Sequence, residues 1–282
     1  MNLDVAYARC EEITSLQARN FSYGIRLLHD PERRAMSALY AVARRIDDIG
    51  DGDASAAERS AALAAVREQL EHLGDHSDPD DPVLVALADV ARRYPLPIGA
   101  LVELIEGCQM DVDGVRYATF DELVGYCRKV AGTVGRLSLS IYGCADAEAG
   151  RILADELGVA LQITNIVRDL VEDRDTMGRV YLPAEDLARF DVDDALRGSP
   201  DALAALVCFE TGRAEERYEV GLQLLPLLDR RSRACTAAMA GIYRRLLDQI
   251  RRDPLSVLSR RVSLPGWQKG AVAANALIRG AA

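Results

Sequence analysis

The sequence predicts an all-α fold, a single helical domain spanning residues 1–282. Three observations point there. Apolar residues recur every three or four positions along most of the chain, and no stretch shows the two-residue alternation of a half-buried strand. Ala and Leu are abundant, whereas aromatic residues make up only 5%, a balance that favours helix over sheet. The joining segments are short and do not separate the chain into compositionally distinct halves.

The elements follow in order. Residues 4–19 form the first helix, with Asp4 as its N-cap. DPERRAMSALYAVARRIDDI, residues 30–49, has Asp30 as N-cap, Pro31 at the start and Glu32 in the first turn. Its residues Met36, Leu39, Val42 and Ile46 share one apolar face. A third helix covers residues 54–73. GDHSDPDDP, residues 74–82, reads as a solvated acidic linker, since it fits no calcium-loop spacing. Helices over 81–94, 95–112, 119–143 and 146–174 come next, then the loop DTMGRVYLP over 175–183. Further helices cover about 183–190, 200–229, 231–253 and 265–280.

Composition excludes several functions. A formal net charge of -10 argues against a nucleic-acid binder, which needs a basic surface. Six cysteines (Cys10, Cys108, Cys127, Cys144, Cys208 and Cys235) form no CxxC and no compact cluster. The start lacks a basic and apolar leader, so the thiols read as reduced, in a cytoplasmic protein. His29, His72 and His76 are scattered and give a histidine metal site or a Ser-His-Asp triad little to build on. No Walker A or strand-following GxGxxG is present. No apolar run approaches the ~18 residues of a membrane span. The C-terminal VSLPGWQKGAVAANALIRG is mildly amphipathic, with Trp267 near Lys269. It reads as a last packing helix or as a peripheral membrane contact.

Two acidic stripes carry the chemistry. In ARRIDDIGDGD, Asp47 and Asp51 are four apart and Asp48 and Asp51 three apart, so they converge on one helix face. In QITNIVRDLVED, Gln162, Asn165, Asp169, Glu172 and Asp173 form a second polar stripe on an otherwise apolar helix. Like charges at that spacing repel by ~0.2–0.5 kcal/mol per pair, and burying carboxylates alone costs several times more. A shared hard cation, Mg²⁺ or Mn²⁺, resolves the conflict, and Mg²⁺ usually takes a few carboxylates together with substrate phosphates. A diphosphate substrate follows, with Arg44, Arg45 and Arg168 as clamps on its oxygens. The competing reading is two salt-bridged helices, with Arg44 paired to Asp48 and Arg168 to Glu172.

NFSYGIRLL, YAVARRIDDIGD, YCRKVAGTVG, LQITNIVRDLVED and GRVYLP, in this order and spacing, resemble the squalene/phytoene synthase family over about residues 7–250. Within it, ARNFSYGIRLL and ARRIDDIGDGD look most like the bacterial presqualene diphosphate synthases of hopanoid gene sets. The resemblance implies a helical isoprenoid-synthase fold with a central cavity. It implies Mg²⁺-dependent head-to-head (1'-1) condensation of two prenyl diphosphates, here farnesyl diphosphate giving presqualene diphosphate. By matching positions, Asp47, Asp48 and Asp51 would bind Mg²⁺ and one diphosphate. Asn165, Asp169 and Asp173 would do so from the facing helix, with Gln162 lining the site. Arg44 and Arg168 would hold phosphate oxygens, with Ser22 and Arg33 as further contacts. Tyr40, Tyr126, Tyr181 and Tyr243 match aromatic positions near the reacting carbons or the diphosphates. On the sequence alone, each tyrosine also has an ordinary core reading.

Three features stay open at this level. Gly132 and Gly135 serve either a helix bend with close substrate approach or tight helix packing. The loop with Gly178 and Arg179 is either a flap over the site or a plain connection. The alternatives within the class are phytoene, dehydrosqualene or squalene synthesis, the last needing NADPH. A head-to-tail prenyltransferase or terpene cyclase would lack the YC…VAG…VG segment. A scaffold protein of the same fold could lose its carboxylates, and this chain keeps them all. Prenyl chain length and oligomeric state are not legible.

Overall fold

The computed structural model describes residues 1–18, 20–74 and 80–279. His76, most of the expected acidic linker and the last residue of the expected C-terminal helix lie outside them. Among the described residues there are thirteen α-helices and no strand. They are α1 Leu3–Gln17, α2 Phe21–Ile25, α3 Asp30–Gly50, α4 Ala56–Glu71, α5 Pro82–Arg93, α6 Ile98–Val112 and α7 Phe120–Cys127. Then come α8 Thr133–Tyr142, α9 Ala147–Met177, α10 Ala184–Arg189, α11 Pro200–Gly221, α12 Arg230–Arg252 and α13 Gly266–Arg279.

Local chemistry sets the ends. Ser55 and Thr119 each make a reciprocal capping box, with Glu58 and Glu122 respectively. Asp81, Asp146, Ser199 and Asp229 also cap through their side chains. Two expected caps move. Asn2, not Asp4, caps α1 by accepting from the Asp4 N–H, and His29 precedes α3, so Asp30 is already helical. The expected helix over 200–229 stops at Gly221, because a 3₁₀ turn over Leu222–Leu227 holds Pro226, which lacks the N–H that α-helix needs. The expected helix over 119–143 runs continuously in space but contains a π turn, Arg128–Gly132, between α7 and α8.

Two apolar clusters flank a central cavity. One gathers buried residues of α1 and α3–α6, including Leu39, Val42, Leu87 and Leu101. The other is built on α9, α11 and α12, including Ile163, Val167, Tyr218 and Leu246. Each fully buried aliphatic side chain contributes about 1.5–3 kcal/mol relative to exposure.

α9 meets the π turn backbone to backbone. A Cβ on Gly158 would stand 2.6 Å from the Ala131 carbonyl oxygen, one on Gly132 2.6 Å from Asp155 Oδ1, and one on Gly135 2.7 Å from the Ala154 carbonyl oxygen. Tight packing therefore explains Gly132 and Gly135, and the π turn sits within that contact. All six cysteines are free; Cys10, Cys108, Cys127 and Cys235 are buried in helix faces.

Candidate active site

α3 and α9 bring both acidic stripes to one end of a cavity of about 930 Å³. The lining includes every residue predicted for the site except Ser22, Arg33, Arg45 and Asp48. Arg45 points to the other side of α3 and holds Asp81, with Nη1 donating to Oδ2 at 2.7 Å. Ser22 is buried in α2. Arg33 pairs with Asp30 and Glu11 instead, because it sits in the first turn of α3, about four turns from Asp47. Asp48 pairs with Arg44 and keeps about half its side chain exposed. Asp51 lies one residue past α3, as its C-cap, with its N–H donating to the Asp47 carbonyl at 2.9 Å. The converging face expected from helical spacing thus ends in a turn, which aims Asp51 across the cavity end.

Arginines bind these carboxylates. Arg44 donates to Asp47 Oδ2 at 2.9 Å and also pairs with Asp48, as the salt-bridge reading expected. The expected Arg168–Glu172 pair is absent. Buried Arg168 turns to its neighbour Asp169, with Nε donating to Oδ1 at 2.8 Å. Glu172 is met by Arg261 at 3.3 Å, and Arg261 Nε also reaches Asp169 Oδ1 at 3.0 Å. Sequence periodicity could not find Arg261, because it comes from a segment 92 residues beyond Asp169.

The loop after α9 is drawn inward. Gly178 adopts a left-handed conformation (φ 65°, ψ 23°) that ends α9. Val180, Tyr181 and Leu182 are then buried. Arg179 crosses to Asp51 and the Gly50 carbonyl. The segment packs as a wall of the cavity rather than as an open connection.

Asp111 of α6 was missed by the sequence reading. Tyr126 and Tyr181 both donate to it, to Oδ2 at 2.9 Å and to Oδ1 at 2.8 Å. Their rings stack 5.3 Å apart, and Tyr117 packs 5.5 Å from Tyr126. The only available signal was a further acid in GCQMDVDG. Tyr40 and Tyr243 form a separate cluster around Phe21, at 6.5 and 5.8 Å. The four predicted tyrosines therefore divide into two aromatic groups.

The electrostatics are those of a site short of positive charge. Burial, then repulsion from Asp51, pushes the Asp47 carboxyl up to about 6. Half of that side chain is open, and it faces the cavity. Burial, then Asp169, pushes Asp173 up to about 7. Burial pushes Asp111 up to about 6 against the opposing effect of Arg179. The Asn165 side-chain oxygen is buried with no hydrogen-bond partner, while its nitrogen donates to Gln162 at 3.4 Å. Crowded carboxylates and an orphaned amide oxygen fit a hard divalent cation. No preformed cluster of three or more acidic, Cys or His ligands exists among the described residues; arginines hold the carboxylates apart.

The helical fold thus gathers acids and arginines at one end of a cavity whose other walls are largely apolar. The chain belongs to the squalene/phytoene synthase family, whose model matches residues 15–268. It is 50% identical over 281 residues to a phytoene synthase of Mycobacterium tuberculosis, covering 98% of this chain and 91% of that protein. It is 37% identical to a phytoene synthase of Arthrospira platensis, covering 94% and 90%. Among solved structures, a dehydrosqualene synthase bound to a ligand superposes with a TM-score of 0.89 at 29% identity, covering 98% of this chain and 97% of that one. The squalene synthase HpnC of Alicyclobacillus acidocaldarius gives 0.80 at 31% identity, covering 89% and 94%. The family supports an enzyme of prenyl-transferase type acting in isoprenoid biosynthesis.

Proposed function

We propose that the protein joins two prenyl diphosphates head to head, using Mg²⁺, with geranylgeranyl diphosphate as substrate and phytoene as product. The carrying observation is the meeting of both acidic stripes and four arginines at one end of an apolar cavity. The chain length rests on the 50%-identical phytoene synthases. A second reading, farnesyl diphosphate to presqualene diphosphate, rests on the motif wording; the likeness to a solved squalene synthase and a solved dehydrosqualene synthase supports its C30 chain length. NADPH enters only if the product is squalene.

Asp47, Asp51, Asn165, Asp169 and Asp173 would hold Mg²⁺, with Asp48 at the edge of the set. Bound there, the metal supplies charge neutralisation for a leaving diphosphate. Arg44, Arg168, Arg179 and Arg261 exchange their carboxylate partners for phosphate oxygens as substrate arrives. Gln162 orients the Asn165 amide. The C1–O bond of one substrate breaks, and its electron pair leaves with the diphosphate. The apolar walls keep water from the allylic cation, and the aromatic faces of Tyr40, Tyr243 and Phe21 stabilise it. The double bond of the second substrate attacks C1, and a proton lost to the released diphosphate closes a cyclopropane that still carries the second diphosphate. For phytoene, that C–O bond then breaks in turn, its electron pair leaving with the second diphosphate. The cyclopropylcarbinyl cation rearranges to the 1'-1 link, and a second proton is lost to form the central double bond. Tyr126 and Tyr181, steered by Asp111, lie against the other wall, where they orient the second substrate.

The test is incubation of purified protein with farnesyl or geranylgeranyl diphosphate and Mg²⁺, with and without NADPH, followed by product extraction. A C40 hydrocarbon from geranylgeranyl diphosphate supports the first reading. A C30 cyclopropyl diphosphate replaces it with the second. No turnover of either substrate overturns both.

A further inference from the structure

Gly50, the last residue of α3, is buried, and its carbonyl accepts from two guanidinium groups. Arg179 Nη2 donates to it at 3.0 Å from the loop after α9, and Arg59 Nη1 donates at 2.7 Å from α4. The two arginines differ in what else they hold. Arg179 also grips Asp51 and lines the cavity. Half-buried Arg59 lies outside the cavity lining and makes no ion pair among the described residues. Its Nε is buried without a partner.

What the Gly50 carbonyl supports is the turn carrying Asp51. Asp51 is the C-cap of α3, so its carboxylate stands at the negative end of the helix dipole. Its N–H donates to the Asp47 carbonyl at 2.9 Å, and the Gly52 N–H reaches the Ile49 carbonyl at 3.4 Å. The Gly50 carbonyl receives no main-chain donor among the described residues. A cation at a helix C-terminus satisfies such a carbonyl and offsets the dipole.

The start of α4 is fixed so as to present Arg59. Ser55 and Glu58 close the capping box over its first turn, and the Arg59 N–H donates to the Ser55 carbonyl at 2.9 Å. One residue on, the Ser60 hydroxyl accepts from Gln109 of α6 at 2.8 Å. α6 also meets α3 closely, since a Cβ on Gly50 would stand 3.3 Å from the Cys108 Cβ. The end of α3 is therefore held by α4 and α6 independently of the loop after α9.

We propose that Arg59 is a positioning residue of the site: it keeps the Gly50 carbonyl paired, and Asp51 aimed, when Arg179 leaves for a phosphate oxygen. This rests on the proposed function, in which Arg179 exchanges its partners as diphosphate arrives. Without Arg59, that exchange strands a buried carbonyl, a loss that opposes ligand binding.

The test mixes the full chain with Mn²⁺ and inorganic diphosphate and reads binding by calorimetry, so no turnover is needed. Arg59→Met should bind the pair about tenfold more weakly. Arg59→Lys, with one donor for one carbonyl, should recover most of the loss. Ser55→Ala removes the α4 cap but not the guanidinium, so it should lower the melting temperature and keep wild-type affinity. In the ligand-free protein either arginine pairs the carbonyl. Urea melts of Arg59→Met, Arg179→Met and the double variant should therefore show a double loss larger than the two single losses added. Wild-type affinity in Arg59→Met, a tenfold loss that Ser55→Ala shares, or additive melts would each overturn the proposal alone. Wild-type protein that binds neither Mn²⁺ nor diphosphate would sink the proposed function, and the exchange with it.

Discussion

Arg179 grips Asp51 across the cavity end, with Nη1 donating to Oδ1 at 2.5 Å although 128 residues separate them. The same guanidinium donates to the Gly50 carbonyl at 3.0 Å, and the Arg179 backbone N–H donates to the Asp173 carbonyl at 2.9 Å. One residue therefore ties the end of α3 to the end of α9. Replacing Arg179 with Ala should lower kcat by about 10²–10³, the usual loss for one preorganised charged donor. Lys should recover only part, lacking the second donor arm. Steady-state kinetics with a melting curve decides it. A fully active Ala variant would make the pair purely structural.

Asp47 and Asp173 should each abolish turnover when changed to Asn, while circular dichroism stays that of the wild type. Their carboxyls, pushed up to about 6 and about 7, bind protons more readily folded than unfolded. Without metal, they therefore cost stability as pH rises through the ordinary aspartate range to neutrality. A bound cation removes that cost. The rise in melting temperature on adding Mg²⁺ should thus be larger at pH 8 than at pH 5.5, and chelation should reverse it. An equal rise at both values would separate the metal from these acids.

Asp111 is held by two phenols, so Tyr126→Phe and Tyr181→Phe each remove one hydrogen bond to its charged form. Each bond is worth about 1.5–3 kcal/mol when the acceptor is charged. Both variants should raise the Asp111 pKa further and move the acidic limb of the rate profile to higher pH. A pH–rate series on each variant tests this; unmoved limbs would disconnect the trio from the reaction.

Gly158 and Gly212 should respond oppositely to alanine. In a helix, Gly→Ala normally stabilises by about 0.5–1 kcal/mol. Gly212 of α11 has nothing within 4 Å of an added Cβ and should follow that rule. At Gly158 the Cβ would meet backbone at 2.6 Å, so Ala should destabilise by about 1–3 kcal/mol. Urea melts of the two variants give the signs directly.

Glu210 should impose a second pH dependence, far from the acidic stripes. It is fully buried, between Arg213, whose Nη1 donates to Oε1 at 3.2 Å, and Asp186, with its Oε2 unpaired. Burial first, and Asp186 next among the raising causes, drive its carboxyl upward, against Arg213. The folded state holds the proton longer than the unfolded one, so stability falls as pH climbs from the ordinary glutamate range to neutrality. Glu210→Gln should flatten that fall in a thermal-melt series. An unchanged slope would place the dependence elsewhere.

Much of this was readable from the residues because helical spacing and carboxylate chemistry are local. The stripes of α3 and α9 and the Pro31 start of α3 depend on neighbours a few positions away. What escaped depends on distance in the chain. Asp111 gains meaning only where α6 meets α7 and the loop after α9. Arg261 gains it only beside Asp169. Arg168 turned to Asp169 rather than Glu172 because burial leaves its guanidinium the adjacent carboxylate. The 3₁₀ turn at Pro226 was legible and overlooked, whereas the π turn has no comparable local mark.

The glycine seam between α9 and the Arg128–Gly132 turn bears on how product size can change. Main-chain atoms in contact leave no side chain to trim, so that wall acts as a fixed stop on a ruler. On the proposed function, room for a longer or shorter hydrocarbon has to come from side chains elsewhere on the lining, such as Met36, Leu39 and Leu104. A lineage of such proteins could then drift between product lengths by single substitutions there, with its frame untouched.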